Sequence, residues 1–236
     1  MISPIPAALG CLLLTLSFVD TSNHVKRLEA TYRAARTMQV IFLEQYSENG
    51  RVIRIEAGAA YFRRPGKMRW EYQSPEKNLF LVDGKTAWFY VPADHTVTRV
   101  PAKQSTDWRT PLALLAGEMN LSRICARVDF ATDEKPDKDG DVLLSCQLEG
   151  SENMADPAWK NGAPHAKRDL LLLEVAHDTN QLVRIVVREA GGVEIEFKFK
   201  DWQFDPPVPD SFFRFEVPPG VAIVNGELPS ESKSLN

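Results

Sequence analysis

The octapeptide Val193–Lys200 reads VEIEFKFK, and it constrains the chain more than any other stretch. Val193, Ile195, Phe197 and Phe199 alternate strictly with Glu194, Glu196, Lys198 and Lys200. A period of two sends the apolar set to one side of a strand, whereas a helix would scatter it around its circumference. One face is therefore wet and the other buried, the signature of an antiparallel sheet. The same period runs through most of the chain from Val40 onward, in QVIFLEQY, RVIRIEAGAAYF, KMRWEY, NLFLVD, TAWFYVP and TVTRVP, and again in LLLLEVAH and QLVRIVVRE. Turn signals such as ENG, RPG, SPEK and DGK separate these runs. About ten or eleven strands are predicted from this spacing.

Two stretches break the pattern. SNHVKRLEATYRAARTM has a cap at Ser22 or Asn23, and Val25, Leu28, Tyr32 and Ala35 follow helical spacing with basic residues off that stripe. RTPLALLAGEM starts with Thr110 as a cap and Pro111 at the first helical position, and Leu112, Leu115, Ala116 and Met119 share one face. Helices this few cannot form a layer, so they must cover one side or mouth of the sheet. The polar, Pro/Gly-rich excursion from Gly150 to Asp169 reads as a long surface loop. No linker divides the chain, which organises as a leader at 1–20, one β domain at 21–225 and a disordered tail at 226–236.

The leader is the apolar run IPAALGCLLLTLSFV, too short to span a bilayer and without a charged stop-transfer flank. It reads as a secretory signal peptide, although no Lys or Arg precedes it and no A-x-A site follows. Cys11 in ALGC loosely resembles a lipobox, but a lipidated Cys should end the apolar run, and this run continues through Phe18. Export leaves Cys125 and Cys146 in an oxidising compartment, on two runs joined by the turn-rich TDEKPDKDGD. A hairpin there places the sulfurs on neighbouring strands, and the reading is one disulfide; two free buried thiols are the alternative.

The chemistry of an enzyme is missing. His24, His95, His165 and His177 are far apart, and none has metal-ligand spacing. There is neither a phosphate-cradling glycine loop nor a nucleophile elbow. DKDGD, Asp137 to Asp141, has its glycine at the fourth position instead of the sixth, so it reads as a hairpin turn and not a calcium loop. A net charge of −4 with scattered Lys and Arg excludes a nucleic-acid footprint. No cofactor is implied.

The most informative stretch is aromatic. YFRRPGKMRWEY, then LVDGKTAWFYVP, then TPLALLAG, and finally DSFFRFEVPPGV resemble, in order, the LolA-like family of periplasmic outer-membrane lipoprotein carriers. The first strand departs from the family's usual Phe-x-Gln pattern, with Phe42 followed at that spacing by Glu44. The resemblance implies a mainly β (α+β) fold: a single strongly curved, unclosed antiparallel half-barrel whose hydrophobic cavity is covered by a few short helices. It implies no enzymatic activity. It implies instead a monomeric periplasmic chaperone that takes acylated lipoproteins from an inner-membrane ABC lipoprotein-releasing complex to an outer-membrane acceptor. Relatives of the same fold include the receptor LolB and periplasmic lipid-binding or sigma-regulatory sensors, which is the alternative function.

The site residues follow from the same resemblance. Met68, Trp70, Tyr72, Leu81, Trp88 and Tyr90, with Leu112 and Leu115 from the short helix, are expected to line the acyl-chain cavity. Alternation supports part of this set, placing Met68, Trp70 and Tyr72 on one face with Arg69 and Glu71 on the other. Trp88 and Tyr90 point opposite to Phe89, so that strand is bulky on both faces. An aromatic-rich strand is also what an ordinary core uses. Arg64, directly before the Pro65-Gly66 turn, is expected at the cavity rim, donating to backbone carbonyls of the lid helices; Arg63 is the neighbour it must be told from.

Overall fold

Alternation becomes pairing in a computed structural model, which describes residues 21–102, 113–117, 119–148, 170–189 and 191–226. The leader at 1–20, Thr110 to Leu112, the excursion at 150–169 and residues 227–236 lie outside the described residues.

Among the described residues, twelve strands form one sheet. They are β1 (Thr37–Glu48), β2 (Arg51–Arg63), β3 (Lys67–Ser74), β4 (Leu79–Val82), β5 (Thr86–Val91), β6 (Thr96–Pro101), β7 (Cys125–Phe130), β8 (Val142–Leu148), β9 (Leu170–Val175), β10 (Leu182–Arg188), β11 (Val193–Phe204) and β12 (Ala222–Asn225). Their order is β12-β6-β5-β4-β3-β2-β1-β11-β10-β9-β8-β7, and no described pairing joins β12 to β7, so the sheet stays open. Every pairing is antiparallel except β12 on β6. That strand exceeds the expected count. It arises where the Pro-rich tail returns along the sheet and lies parallel to β6, from Ala222 opposite Thr96 to Asn225 opposite Arg99.

The sheet curls. Trp70 on β3 and Phe197 on β11 are three strand steps apart, roughly 14 Å on a flat sheet. Their ring centroids nevertheless approach to 5.5 Å. Gly58 permits a tight part of the bend: a Cβ there would sit 2.0 Å from the Glu71 carbonyl oxygen. The β2–β3 register slips beside it, between Ala57 and Gly58, as at a bulge.

Two α-helical pieces lie among the described residues. The helix α1 (Thr21–Arg33) buries Leu28 and Tyr32, and α2 (Ala113–Ala116) is a single turn. Both lie over the concave face, where Leu28, Tyr32, Leu115, Ala116 and Met119 join one buried cluster with the inward residues of the sheet.

Two segments cover the convex face instead. Residues 206–217 cross β2 to β5: Arg63 Nη1 donates to the Val208 carbonyl at 2.7 Å, Lys67 Nζ reaches Asp210 at 2.6 Å, and Arg69 Nη1 donates to the Phe212 carbonyl at 3.1 Å. The β7–β8 connection covers the other half. Buried Glu174 accepts the Asp137 amide at 2.8 Å, Arg184 pairs with Glu174 and Glu196, and Lys198 holds Asp137 at 2.6 Å. Asp137 is thus committed to an ion pair, and Asp141 accepts the His177 amide at 3.1 Å.

Candidate functional site

The concave face is almost wholly apolar, because the inward position of each strand carries the large side chain. On β3 these are Met68, Trp70 and Tyr72. Met68 faces Val82 and Trp70 faces Phe80 across β4. Across the sheet, Trp70 makes edge contacts with Phe42 at 4.8 Å, Phe62 at 5.8 Å and Phe197 at 5.5 Å. Trp70, Phe42, Phe62, Phe80 and Phe197 are all fully buried. At 1% exposure or less, none of these rings is open to solvent.

Three residues expected in this lining are elsewhere. Leu81 lies opposite Arg69 and Trp88, and Tyr90 lies opposite Leu79. Paired residues share a face, so Leu81, Trp88 and Tyr90 all project from the convex side. Trp88 and Tyr90 pack on Phe215 of the crossing segment, with centroids 5.3 and 5.6 Å apart. The large inward residue of β5 is Phe89, opposite Phe80 and Thr98. The placement is corrected for a simple reason: alternation separates the two faces of a strand but does not say which one turns inward. Leu115 is buried in the interior cluster, and Leu112 lies outside the described residues.

Arg64 stands where the two helical pieces meet. Its Nη1 donates to the carbonyls of Tyr32 and Ala35, and its Nε donates to the carbonyl of Gly117. The first two carbonyls lie in and just beyond the last turn of α1, and the third follows α2. The last carbonyls of a helix lack intrahelical partners and carry the negative end of its dipole, so a guanidinium there is well placed. The Gly66 amide adds a bond to the Ala116 carbonyl at 2.9 Å. Burial lowers the Arg64 pKa, nearby Arg33 lowers it further, and Asp205 partly offsets both; a guanidinium remains protonated regardless. Arg63 takes the opposite route, to Val208 and Asp210 on the convex side.

Further ties hold α1, and sequence patterning did not indicate them. The Tyr32 hydroxyl accepts the Leu182 amide at 2.8 Å, and its ring meets Trp202, whose Nε1 donates to the Leu182 carbonyl at 2.7 Å within the sheet. Burial raises the Tyr32 pKa, only partly countered by that amide bond. Glu29 accepts the Leu121 amide at 2.9 Å, Arg33 donates to the Met119 carbonyl at 3.3 Å, and Asp205 accepts the Arg36 amide at 2.7 Å. The cover is therefore fastened to both halves of the sheet by hydrogen bonds around an apolar contact.

The floor turns polar at one point. Glu44, 1% exposed, accepts a hydrogen bond from the Tyr72 hydroxyl at 2.9 Å and lies opposite Glu56 on β2. This is the position where the chain departs from Phe-x-Gln. At the sheet's far edge, the sulfurs of Cys125 and Cys146 are joined, with their Cα atoms 5.4 Å apart, tying β7 to β8.

Known proteins resemble this one in sequence and in fold. Residues 33–155 match the family described as "Outer membrane lipoprotein carrier protein LolA". An outer-membrane lipoprotein carrier protein of Chromobacterium violaceum is 27% identical over 208 residues, covering 87% of this chain and 89% of that protein. One from Nitrosospira multiformis is 26% identical over 227 residues, covering 91% and 96%. Among solved structures, an uncharacterized conserved protein from Thermus thermophilus superimposes with a TM-score of 0.51 at 12% identity, covering 87% of this chain and 99% of that one.

Proposed function

The chain belongs to the LolA family of outer-membrane lipoprotein carriers, whose members are non-enzymatic chaperones, and from that premise we propose that it carries acylated lipoproteins through the periplasm. It takes them after release by an inner-membrane ABC complex and yields them to an outer-membrane acceptor. The acyl chains lie against the concave face, on Met68, Trp70, Tyr72 and Leu115, and Arg64 is the latch of the cover above them.

The observation that carries this reading is the position of Arg64, which bonds both helical pieces over an almost wholly apolar interior. Magnitudes favour such an arrangement. Burial of one acyl methylene contributes ~0.8 kcal/mol, so a single long chain exposed to water costs on the order of 10 kcal/mol. A carrier must shield that surface yet release it. Hydrogen bonds contributing ~1 kcal/mol net each bias a cover toward closure without locking it.

Arg64→Leu tests the proposal. The substitution removes the donors and leaves an apolar side chain that can join the lining. The closed form should lose about 1–3 kcal/mol relative to the open one, a shift of roughly five- to 150-fold in population. Cargo then rests in a deeper well. The variant should accept lipoprotein from the inner membrane but fail to deliver it, which a transfer assay scoring the two steps separately reads directly. Unchanged delivery removes Arg64 from the mechanism. Native mass spectrometry that found a phospholipid on the exported protein, and never an acylated protein, would move the reading to a lipid-binding or sensor role.

A further inference from the structure

The chain's described tryptophans differ in one respect. Trp88 Nε1 donates to Asp83 at 3.3 Å, and Trp202 Nε1 donates to the Leu182 carbonyl at 2.7 Å. Both are only partly buried. Trp70 is fully buried, and its Nε1 has no hydrogen-bond partner among the described residues. Buried indole N–H groups nearly always find an acceptor, because an unpaired donor keeps the whole cost of leaving water. The rings that touch Trp70, those of Phe42, Phe62 and Phe197, meet it edge to face, and an aromatic ring is at best a weak acceptor. Apolar packing alone does not explain an indole here, since a phenylalanine would fill an aromatic cluster without the unpaired donor. An acceptor supplied by a ligand does explain it.

The neighbourhood narrows the ligand. Phe42 touches Trp70 on one side and Tyr72 on the other, the second at 5.2 Å, and the Tyr72 hydroxyl is already bonded to Glu44. The apolar floor therefore acquires polarity around Trp70, in a place otherwise suited to hydrocarbon. A charged ligand group would meet no counter-charge at the indole, and a bare alkyl chain would leave the donor unpaired. A neutral carbonyl attached to a hydrocarbon chain meets both requirements.

We infer that Trp70 Nε1 is a recognition donor for the carbonyl oxygen of an acyl ester or amide, holding the polar root of the chain while its tail lies in the apolar interior. The inference rests on the lipid-carrier reading above and adds the ligand's linkage chemistry to it. Acylated proteins and phospholipids both supply this carbonyl, so the test must use both.

Two matched pairs of probes suffice: a synthetic lipopeptide with two ester-linked palmitoyl chains and its dialkyl ether counterpart, and dipalmitoyl phosphatidylglycerol and its ether counterpart. Binding to the mature protein is read by displacement of a fluorescent hydrophobic probe. The native protein should bind the ester lipopeptide roughly fivefold more tightly than the ether, the size of one net hydrogen bond. Trp70→Phe should bind ester and ether with equal affinity, whatever the strength of binding to both, so that the lost preference is the readout. The Trp70 indole resonance of the native protein, assigned by its absence from the Phe variant, should move downfield with the ester and not with the ether. The same preference confined to the phospholipid pair would support carbonyl recognition while overturning the lipoprotein as its source. Equal affinity for ester and ether would overturn the inference and leave the carrier reading standing. No binding of any probe would overturn both.

Discussion

Trp70 and Trp88 sit two strands apart on the same half of the sheet, yet the protein covers them by different means. Trp70 faces the concave side, beneath helical pieces held by hydrogen bonds that Arg64 donates and that Tyr32 and Glu29 accept. Trp88 faces the convex side, beneath Phe215 on a segment tied by Lys67–Asp210, the Arg69 bond to Phe212 and the β12–β6 ladder. The convex cover is a piece of the sheet's own architecture. The concave cover is a separate object meeting the sheet mainly through apolar contact and a few donors. The difference teaches that large aromatic residues alone do not tell the two faces apart; what distinguishes them is how the layer above is attached.

Gly58 bears on both faces at once, and replacing it should produce the largest effect. Its missing Cβ would overlap the Glu71 carbonyl oxygen, which belongs to backbone and cannot swing aside. Gly58→Val should cost ~3 kcal/mol or more in chemical denaturation. A loss under ~1 kcal/mol would mean that the bend does not depend on this approach.

The comparison itself is put at risk by truncating the two tryptophans. Trp70→Ala should cost about 3–5 kcal/mol, the range for a fully buried aromatic. Trp88→Ala should cost less, about 1–2 kcal/mol, since its ring is half-buried and loses one partner ring and a long bond to Asp83. Lipid uptake should fall only in the first variant. Equal losses of uptake would show that the two faces are not functionally distinct.

The smallest effect concerns acid. Lys198 hydrogen-bonds Asp137 and holds its carboxyl below the usual range, with burial opposing and Arg184 assisting. A carboxylate whose folded pKa is depressed contributes stability above its unfolded value, near 4, and loses it as pH falls through the folded value. Asp137→Asn should therefore flatten the acid limb of the stability–pH curve below about pH 4, while leaving the neutral plateau nearly unchanged, because the pair is half exposed. An identical acid limb in the variant would remove Asp137 from the fastening of this connection.

Much of the fold was legible because alternation is local. VEIEFKFK, KMRWEY and the other runs specify strands and their two-sidedness with no knowledge of neighbours. The stripe Leu28 and Tyr32 likewise announces a helix with one buried face. The site was less legible. Arg64 could be picked out beside its Pro-Gly turn, but the carbonyls it meets belong to Tyr32, Ala35 and Gly117, brought together only by the completed fold. The burial of Glu44 depended on its strand lying between β2 and β11.

By itself the sequence determined most of the strands, β12 excepted, which faces of each strand go together, and where the chain turns, since all three follow from steric preference and a period of two. Tertiary structure decided which of the two faces is concave. It sent Phe89 inward and Trp88, Tyr90 and Leu81 outward, and it laid residues 206–217 over the outer set. The physical reason is that hydrophobic burial has no direction of its own. A strand with large apolar groups on both sides satisfies it either way, and only the register of its neighbours and the return of a distant segment choose between them.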